Sequence, residues 1–301
     1  DGCVVTWGSA DHGGDSSAVQ GQLRNVQHIQ ASVGAFAALC GDGFVVTWGN
    51  ADKDGGDSSA VEESLRCHIA VSYTHLTLQR RQVQVSSFRN KRSDAFAAVL
   101  GDGAVVTWGV SACGGDSSAV QGQLRNVQNI QASVHAFAAL LGDGSVVTWG
   151  RSAYGGDSRA VQGQLNNVQH IHASCSAFAA LLGDGSVVTW GDPDSGGDSS
   201  AVQVQLNNVQ QIQASGHAFA ALRGDGCVVT WGSADHGGDS SAVQGQLRNV
   251  QHIQASVGAF AALLGDGSVV TWGNAAADGG DSSAVEESRR RHIAQTQGEY
   301  M

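Results

Sequence analysis

The chain has 301 residues, including 42 Gly, one Pro and seven Trp, and only 14% of its residues are charged. This composition is typical of many short strands and turns, and it excludes a coiled coil. Hydrophobic residues make up 42% of the chain, which is enough for a core and excludes an extensively disordered protein. The formal net charge of −11 disfavours nucleic acid as a partner, because it repels phosphate backbones.

No apolar run reaches the roughly 18 residues that a membrane-spanning helix needs. The first residues lie inside a repeat and do not resemble a basic and apolar leader. We therefore expect no membrane partner, a cytoplasmic or nuclear location, and a chain that is a fragment of a longer protein. The six Cys show no C-x-x-C spacing, which favours a reducing compartment over a disulfide framework.

An internal repeat is marked by the tryptophans, which recur every 41 residues with one gap of 60, at Trp7, Trp48, Trp108, Trp149, Trp190, Trp231 and Trp272. Each unit reads close to GDGSVVTWG, a variable loop, GGDSSAVQGQL, NVQxIQAS and AFAALL. Seven units cover nearly the whole chain, so we expect one repeat domain over residues 1–301. The longer gap predicts an irregular insertion at 62–94, in which Val71–Arg81 is either foreign sequence or a genuine loop insertion.

The segment AFAALL-GDG-SVVTWG predicts a β-hairpin, because Asp-Gly favours the tight turns that join antiparallel strands. In the second strand, Val5 and Trp7 are expected on one face and Val4 and Thr6 on the other, with both faces buried. In the first strand, small alanines flank Phe36 and let neighbouring backbones approach closely. That pattern is typical of an inner strand.

The middle of the unit fits two architectures. Val19, Leu23 and Val26 have helical spacing, which suits a strand-helix solenoid, but Gly21 interrupts the helix at a cost of about 1 kcal/mol. We favour an all-β fold, a seven-bladed β-propeller of 41-residue repeats with four short strands per blade. AFAA occurs six times and VVTWG seven times, so the ring is expected to lack one strand at its closure.

The order L-x2-V-x2-I-x-A-S, A-F-A-A-L, G-D-G-x-V-V-T-W-G and a Gly-Gly turn resembles the repeat of the regulator of chromosome condensation family, a seven-bladed propeller. The most specific part is the strand between Asp-Gly and Trp-Gly, which occurs seven times. Two departures are Gly-Gly-Asp-Ser at 13–16, in place of the family's Gly-Gln-Leu-Gly-like turn, and Ala35, where the family often has His. They leave the fold inference intact, but the family's binding residues do not carry over.

Three functions follow from these patterns. The first is a non-catalytic propeller that binds a protein as a scaffold or substrate-recruiting module. The resemblance implies two more: the propeller portion of a HECT-type ubiquitin ligase, whose catalytic domain this chain has no room for, and a guanine-nucleotide exchange factor for a small GTPase.

Gly-Gly-Asp-Ser invites a catalytic or metal interpretation, but it recurs in every unit, whereas a catalytic site needs one asymmetric constellation. A structural turn is the better interpretation. In DPDSGGD, the carboxylates of Asp192, Asp194 and Asp198 suit a cation, yet Gly196 and Gln203 stand where a calcium loop requires ligands.

His170 and His172 lie two residues apart on one face of a predicted strand, but no second pair follows at zinc-ligand spacing. The sequence also lacks a phosphate-binding or nucleophile-elbow motif. We therefore predict that the protein is not an enzyme and has no catalytic residue, bound metal or cofactor.

The loops after Trp-Gly and the two residues before AFAA vary among otherwise similar units. Loops on one rim of a propeller can change without disturbing its sheets, so we predict that they bind a protein partner and that the protein is a monomer. Neutral drift in exposed loops is the alternative. The predicted partner-binding residues are Asp11, His12, Lys53, Asp54, Tyr154, Asp192, Asp194, Asp235 and His236.

Overall fold

A computed structural model describes residues 2–32, 34–42, 44–50, 56–59, 84–86, 94–275 and 279–280. The chain forms two compact units, Asp1–Ser176 and Ala177–Met301. Most of the predicted insertion at 62–94, including Val71–Arg81, lies outside the described residues, and the single repeat domain stays a prediction. None of the helices in the described part has the length and apolar character needed to cross a bilayer.

Short strands are the main element of both units. Those of the first unit are β1 (Val26–Ala31), β2 (Ala35–Cys40), β3 (Val45–Gly49), β4 (Gln84–Ser86), β5 (Ala95–Val99), β6 (Val105–Gly109), β7 (Val127–Ala132), β8 (Ala136–Leu141), β9 (Val146–Gly150) and β10 (Val168–Ala173). Those of the second unit are β11 (Ala177–Leu182), β12 (Val187–Gly191), β13 (Val209–Ala214), β14 (Ala218–Arg223), β15 (Val228–Gly232), β16 (Val250–Ala255), β17 (Ala259–Leu264) and β18 (Val269–Gly273).

Helices in the described residues are 3-10 helices of three residues each. They span Ala10–His12, Ser111–Cys113, Ser152–Tyr154, Gln162–Gln164, Pro193–Ser195, Gln203–Gln205 and Ala234–His236. The helical solenoid is therefore wrong for the described repeats. The segment before β7, which the solenoid would make a helix, forms only turns closed by the N–H groups of Val120 and Gln123. It does not continue as a helix, because Asn126 takes a left-handed conformation with a φ of 54°.

The strands form small antiparallel sheets in the orders β1-β2-β3, β4-β5-β6 and β7-β8-β9 in the first unit, and β13-β14-β15 and β16-β17-β18 in the second. The predicted hairpin is confirmed, with Phe137 opposite Trp149 and Leu140 opposite Val146. Each of these sheets has three strands and not the predicted four, because the residues after Trp-Gly form turns and 3-10 helices. The Ala-rich strand lies in the middle, where small side chains allow close packing.

The first Val-Val-Thr-Trp-Gly segment differs from the others. Residues 2–7 form no strand, and the side chains of Val5 and Trp7 are 77% and 84% exposed. The prediction that both faces are buried is therefore wrong here. Among the described residues, this segment has no pairing with an Ala-rich strand of the kind that orders its six later copies. The seven-blade count and the missing closing strand stay predictions.

A stacked Phe and Trp pair within each hairpin contacts a Gly of the preceding repeat. Phe137 stacks on Trp149 with ring centroids 5.3 Å apart, and both side chains are buried. The Trp149 Nε1 donates a hydrogen bond of 3.0 Å to the carbonyl oxygen of Gly114 in the preceding repeat. The same bond joins Trp48 to Gly13, Trp231 to Gly196 and Trp272 to Gly237. A buried indole needs an acceptor, so this bond fixes how one sheet packs on the next.

The Gly-Gly pair is a structural requirement of that contact. Gly114 has a φ of 95°, and a Cβ on it would lie 2.6 Å from Cδ2 of Phe137. A Cβ on Gly115 would overlap the backbone of Gly109. The Asp116 carboxylate that follows accepts a hydrogen bond from the Ser118 N–H. Gly-Gly-Asp-Ser is therefore a structural turn, as predicted.

A second repeated network ties each turn to its own hairpin. Oγ1 of Thr148 lies 3.0 Å from Oγ of Ser158, which donates to Oε1 of Gln162 at 2.8 Å. The Gln162 amide in turn donates to the carbonyl oxygen of Val146 at 2.9 Å. Buried polar groups that are mutually satisfied favour one geometry, so the repeated segments share one conformation.

Replacing Gly196 by Ala tests the aromatic contact. We expect Gly196→Ala to lower the free energy of unfolding by about 2–4 kcal/mol, because the new Cβ is strained at a φ of 89° and overlaps the ring of Phe219. Gly245→Ala is the matched control, since open space surrounds its Cβ, and it should change stability by less than about 0.5 kcal/mol. Urea unfolding monitors both variants, and equal destabilisation would contradict the contact's importance.

Candidate functional site

The variable positions meet because of the hairpin register. In each hairpin, the residue before the Ala-rich strand lies beside the first residue after Trp-Gly. The Val110 N–H donates to the Asp94 carbonyl oxygen at 2.8 Å, and the Arg151 N–H donates to that of His135 at 2.9 Å. The two variable segments of one repeat are therefore neighbours, although about 15 residues separate them.

Each described variable loop forms a 3-10 helix whose backbone is held by constant residues. The helix Ser152–Tyr154 ends at Gly155, which has a φ of 88°, and the Ser133 hydroxyl donates to the carbonyl oxygen of Tyr154 at 2.8 Å. The same bond joins Ser215 to His236. The side chains can therefore differ from repeat to repeat while the loop backbone stays the same.

A first variable cluster, in the first unit, consists of Asp94, Cys113, His135, Arg151 and Tyr154. The buried Sγ of Cys113 donates to Oδ2 of Asp94 at 3.8 Å. The His135 ring contacts Tyr154 edge-on at 4.6 Å, and the Arg151 guanidinium lies 5.7 Å from the centre of the Tyr154 ring. Residues from two successive repeats thus contribute to one polar and aromatic cluster.

Burial controls the ionisation of this cluster. It raises the pKa of the Cys113 thiol, and the Asp94 carboxylate raises it further. Burial lowers the pKa of His135, with Asp94 opposing the shift and Arg151 adding to it. The pKa shifts favour a protonated thiol and a neutral imidazole, which is the opposite of the thiolate-imidazolium pair of a catalytic cysteine.

A second variable cluster, in the second unit, consists of Asp192, Ser195, His217, Ser233 and His236. The Ser195 hydroxyl donates to Oδ2 of Asp192 at 2.6 Å and lies 2.9 Å from Nδ1 of His217. The rings of His217 and His236 are in edge contact at 4.6 Å, and Oγ of Ser233 lies 3.1 Å from Nδ1 of His236.

The second cluster has the residue types of a serine nucleophile site without the required order. In such a site, the base accepts the hydroxyl proton and a carboxylate orients the base. Here the Ser195 hydroxyl donates its hydrogen bond to Asp192, so Nδ1 of His217 carries a proton and donates to Oγ of Ser195. The hydroxyl is also buried, with 1% of Ser195 exposed. This arrangement stabilises the loop and does not activate Ser195.

A shallow groove adjoins the second cluster. Its volume is about 530 Å³, and its lining includes Pro193, Asp194, Asp198, Trp231 and Ser233. The lining combines the carboxylates of Asp194 and Asp198 with the indole of Trp231 and the aliphatic side chains of Ala201 and Val202. Such a surface can accept a basic or amphipathic side chain of a partner.

The predicted partner-binding residues fall into three groups. Tyr154, Asp192 and His236 belong to the clusters. Asp11, His12, Asp194 and Asp235 are exposed on the 3-10 loops, and Lys53 and Asp54 lie outside the described residues. The sequence analysis missed Asp94, Cys113, His135, Ser195 and His217 as site residues. The signal that could have identified them is that the loop after Trp-Gly and the two residues before AFAA both vary, since the hairpin register places these two segments side by side.

His172 of β10 is a separate titratable feature. Burial, together with the charge of the neighbouring His170, lowers its pKa to about 4. The equivalent residues in other repeats are Gln, namely Gln131, Gln213 and Gln254. A neutral side chain therefore suits this strand position, and no metal is needed to account for His170 and His172.

The His172 shift predicts an acid-sensitive stability. Because the unfolded chain takes up a proton near the ordinary pKa of 6.5 and the folded chain only near 4, folding should weaken as the pH falls from 6.5 to 4, by about 2.5–3 kcal/mol. Urea unfolding of His172→Gln at several pH values should show a smaller loss over this window. Gln213→Ala, at the same repeat position, should keep the full loss; an unchanged pH profile for His172→Gln would contradict the shift.

No family model and no curated protein matches the chain. Solved structures do. Yeast RCC1 (Prp20), in a crystal structure bound to Kap60, is 15% identical with a TM-score of 0.50, over 85% of this chain and 72% of that one. Prp20p from Saccharomyces cerevisiae is 17% identical over 85% and 74%, with a TM-score of 0.49. Human WBSCR16 is 18% identical over 64% and 62%, with a TM-score of 0.41. Together with the repeated three-stranded sheets, the likeness to yeast RCC1 shows an all-β propeller fold of the RCC1 repeat type.

Proposed function

We propose that this chain is a non-catalytic protein-interaction propeller that binds a protein partner through its variable loops. The observation that supports this most directly is the organisation of the clusters. Constant residues carry the packing between sheets, whereas variable residues of one hairpin and of adjacent repeats contact one another beside the exposed 3-10 loops. A surface that changes from repeat to repeat on a fixed framework provides several different contacts to one partner.

The chemistry of the clusters suits protein recognition. Arg and Tyr are enriched at protein interfaces, and an exposed Arg151 here lies over the partly buried ring of Tyr154. The exposed carboxylates of Asp194 and Asp235 add negative charge to the equivalent loops of the second unit. We therefore expect a partner surface with basic and apolar residues, which would complement the acidic loops and the groove beside Trp231.

The fold likeness is consistent with this role. Yeast RCC1 (Prp20), which has the same type of fold, was crystallised with the protein Kap60 bound. Fold alone does not define function, so the likeness supports protein binding and not a particular partner. Nucleotide exchange, a place in a ubiquitin ligase, the monomeric state and a cytoplasmic or nuclear location stay predictions.

Exchanging one loop for another from the same chain tests the proposal. Arg151→Ser, Ser152→Ala, Ala153→Asp and Tyr154→His together give this loop the sequence of residues 233–236. Both loops form a 3-10 helix ended by a left-handed Gly, so the exchange should preserve the fold. Proteins captured by the wild-type chain are identified by quantitative mass spectrometry, and their affinities are then measured. We expect at least one partner to bind about tenfold or more weakly to the exchanged loop, through loss of the Arg151–Tyr154 surface.

Arg125→Asn combined with Arg248→Asn is the matched control. These exposed residues stand in the turn before the first strand of a sheet, where other repeats have Asn166 and Asn207. The control removes two cations away from the variable loops and should leave binding unchanged. Equal binding of every captured partner to the wild type and the exchanged loop would contradict the proposal, as would equal losses from the exchange and the control.

A further inference from the structure

Three potential metal ligands converge in the first variable cluster. Asp94 immediately precedes β5, Cys113 ends the 3-10 helix after β6, and His135 precedes β8 of the next repeat. One ligand atom from each, a carboxylate oxygen, Sγ and a ring nitrogen, lie within 4.8 Å of one another. We propose that Asp94, Cys113 and His135 bind one zinc-type divalent metal ion, with water in the fourth coordination position.

The donor set selects the class of metal. A thiolate and an imidazole are ligands for Zn²⁺ and similar transition metals, whereas Mg²⁺ and Ca²⁺ prefer oxygen ligands. With metal-ligand distances of about 2.0–2.3 Å, tetrahedral coordination places ligand atoms roughly 3.3–3.7 Å apart. Sγ of Cys113 and Oδ2 of Asp94 are already 3.8 Å apart. Small side-chain rotations would therefore bring the donors to coordination distance.

An unpartnered nitrogen gives independent support. Nδ1 of His135 is buried and has no hydrogen-bond partner among the described residues. A buried nitrogen without a partner is costly, and buried polar atoms are nearly always satisfied. Coordination by this nitrogen would remove that cost. The Cys113 thiol would give up its proton on binding, and the metal would replace the present hydrogen bond to Asp94.

The three-residue combination is specific to one junction between repeats. Tyr154, Ser195 and His236 stand at the Cys113 position of later repeats, and His135, Ser176 and His217 stand at the Asp94 position. The prediction of no metal relied on spacing along the chain, where Asp94, Cys113 and His135 form no zinc motif. Hairpin register and the packing of adjacent repeats bring the donors together, so the metal would link one sheet to the next.

Titration of the full chain with Co²⁺ tests the site. Co²⁺ takes the same ligands as Zn²⁺ and gives a thiolate charge-transfer band together with the visible bands of tetrahedral coordination. We expect these bands to saturate at one equivalent and to disappear when Zn²⁺ is added. Cys113→Ser should abolish the thiolate band, and Asp94→Asn should weaken binding by about tenfold or more.

Cys227→Ser is the matched control, because it changes a thiol in the Asp-Gly turn to the residue that Ser145 and Ser186 provide in other repeats. It should keep the full band, and far-ultraviolet circular dichroism should show that all variants are folded. Absence of the thiolate band in the wild type would overturn the proposal. So would a band that persists in Cys113→Ser, which would place the bound metal on another cysteine.

Discussion

The structure depends on the hydrogen bond between each buried Trp and a Gly carbonyl of the preceding repeat. An indole N–H buried without an acceptor would cost about 1–3 kcal/mol, so a sheet that packs in another orientation loses more than apolar contact. Trp149 finds its acceptor at Gly114 only because Gly114 lies against the Phe137 ring without a Cβ. The Trp, the Phe and the Gly therefore form one constraint that recurs between neighbouring sheets.

This constraint leaves the adjoining loop side chains free to differ. A left-handed Gly and a Ser hydroxyl fix the backbone of the loop. In the loop Ser152–Tyr154, these residues are Gly155 and Ser133. The hydrogen bonds among Thr148, Ser158 and Gln162 then hold the segment after the loop against its own hairpin. None of these bonds uses a variable side chain. Variation of the loop side chains therefore does not weaken the packing between sheets.

The sequence predicted the elements that depend on local chemistry. Alternation around Trp149 and the Asp143-Gly144 turn were sufficient for the hairpin, and the recurrence of Gly-Gly-Asp-Ser was sufficient for a structural turn. The number of strands per sheet was not predictable, because the left-handed Asn126 and the 3-10 loops replace a fourth strand through tertiary packing. The clusters were also missed, since they require the hairpin register and the neighbouring repeat together.

The clusters also bear on whether the loops vary by neutral drift. Ser195 is hydrogen-bonded to Asp192 of its own loop and to His217 of another variable segment, and Cys113 is hydrogen-bonded to Asp94 of another variable segment. A substitution at one of these positions changes the hydrogen bonding of its neighbour in the same cluster. The variable residues of a cluster are therefore coupled to one another, and they do not vary as independent exposed positions would.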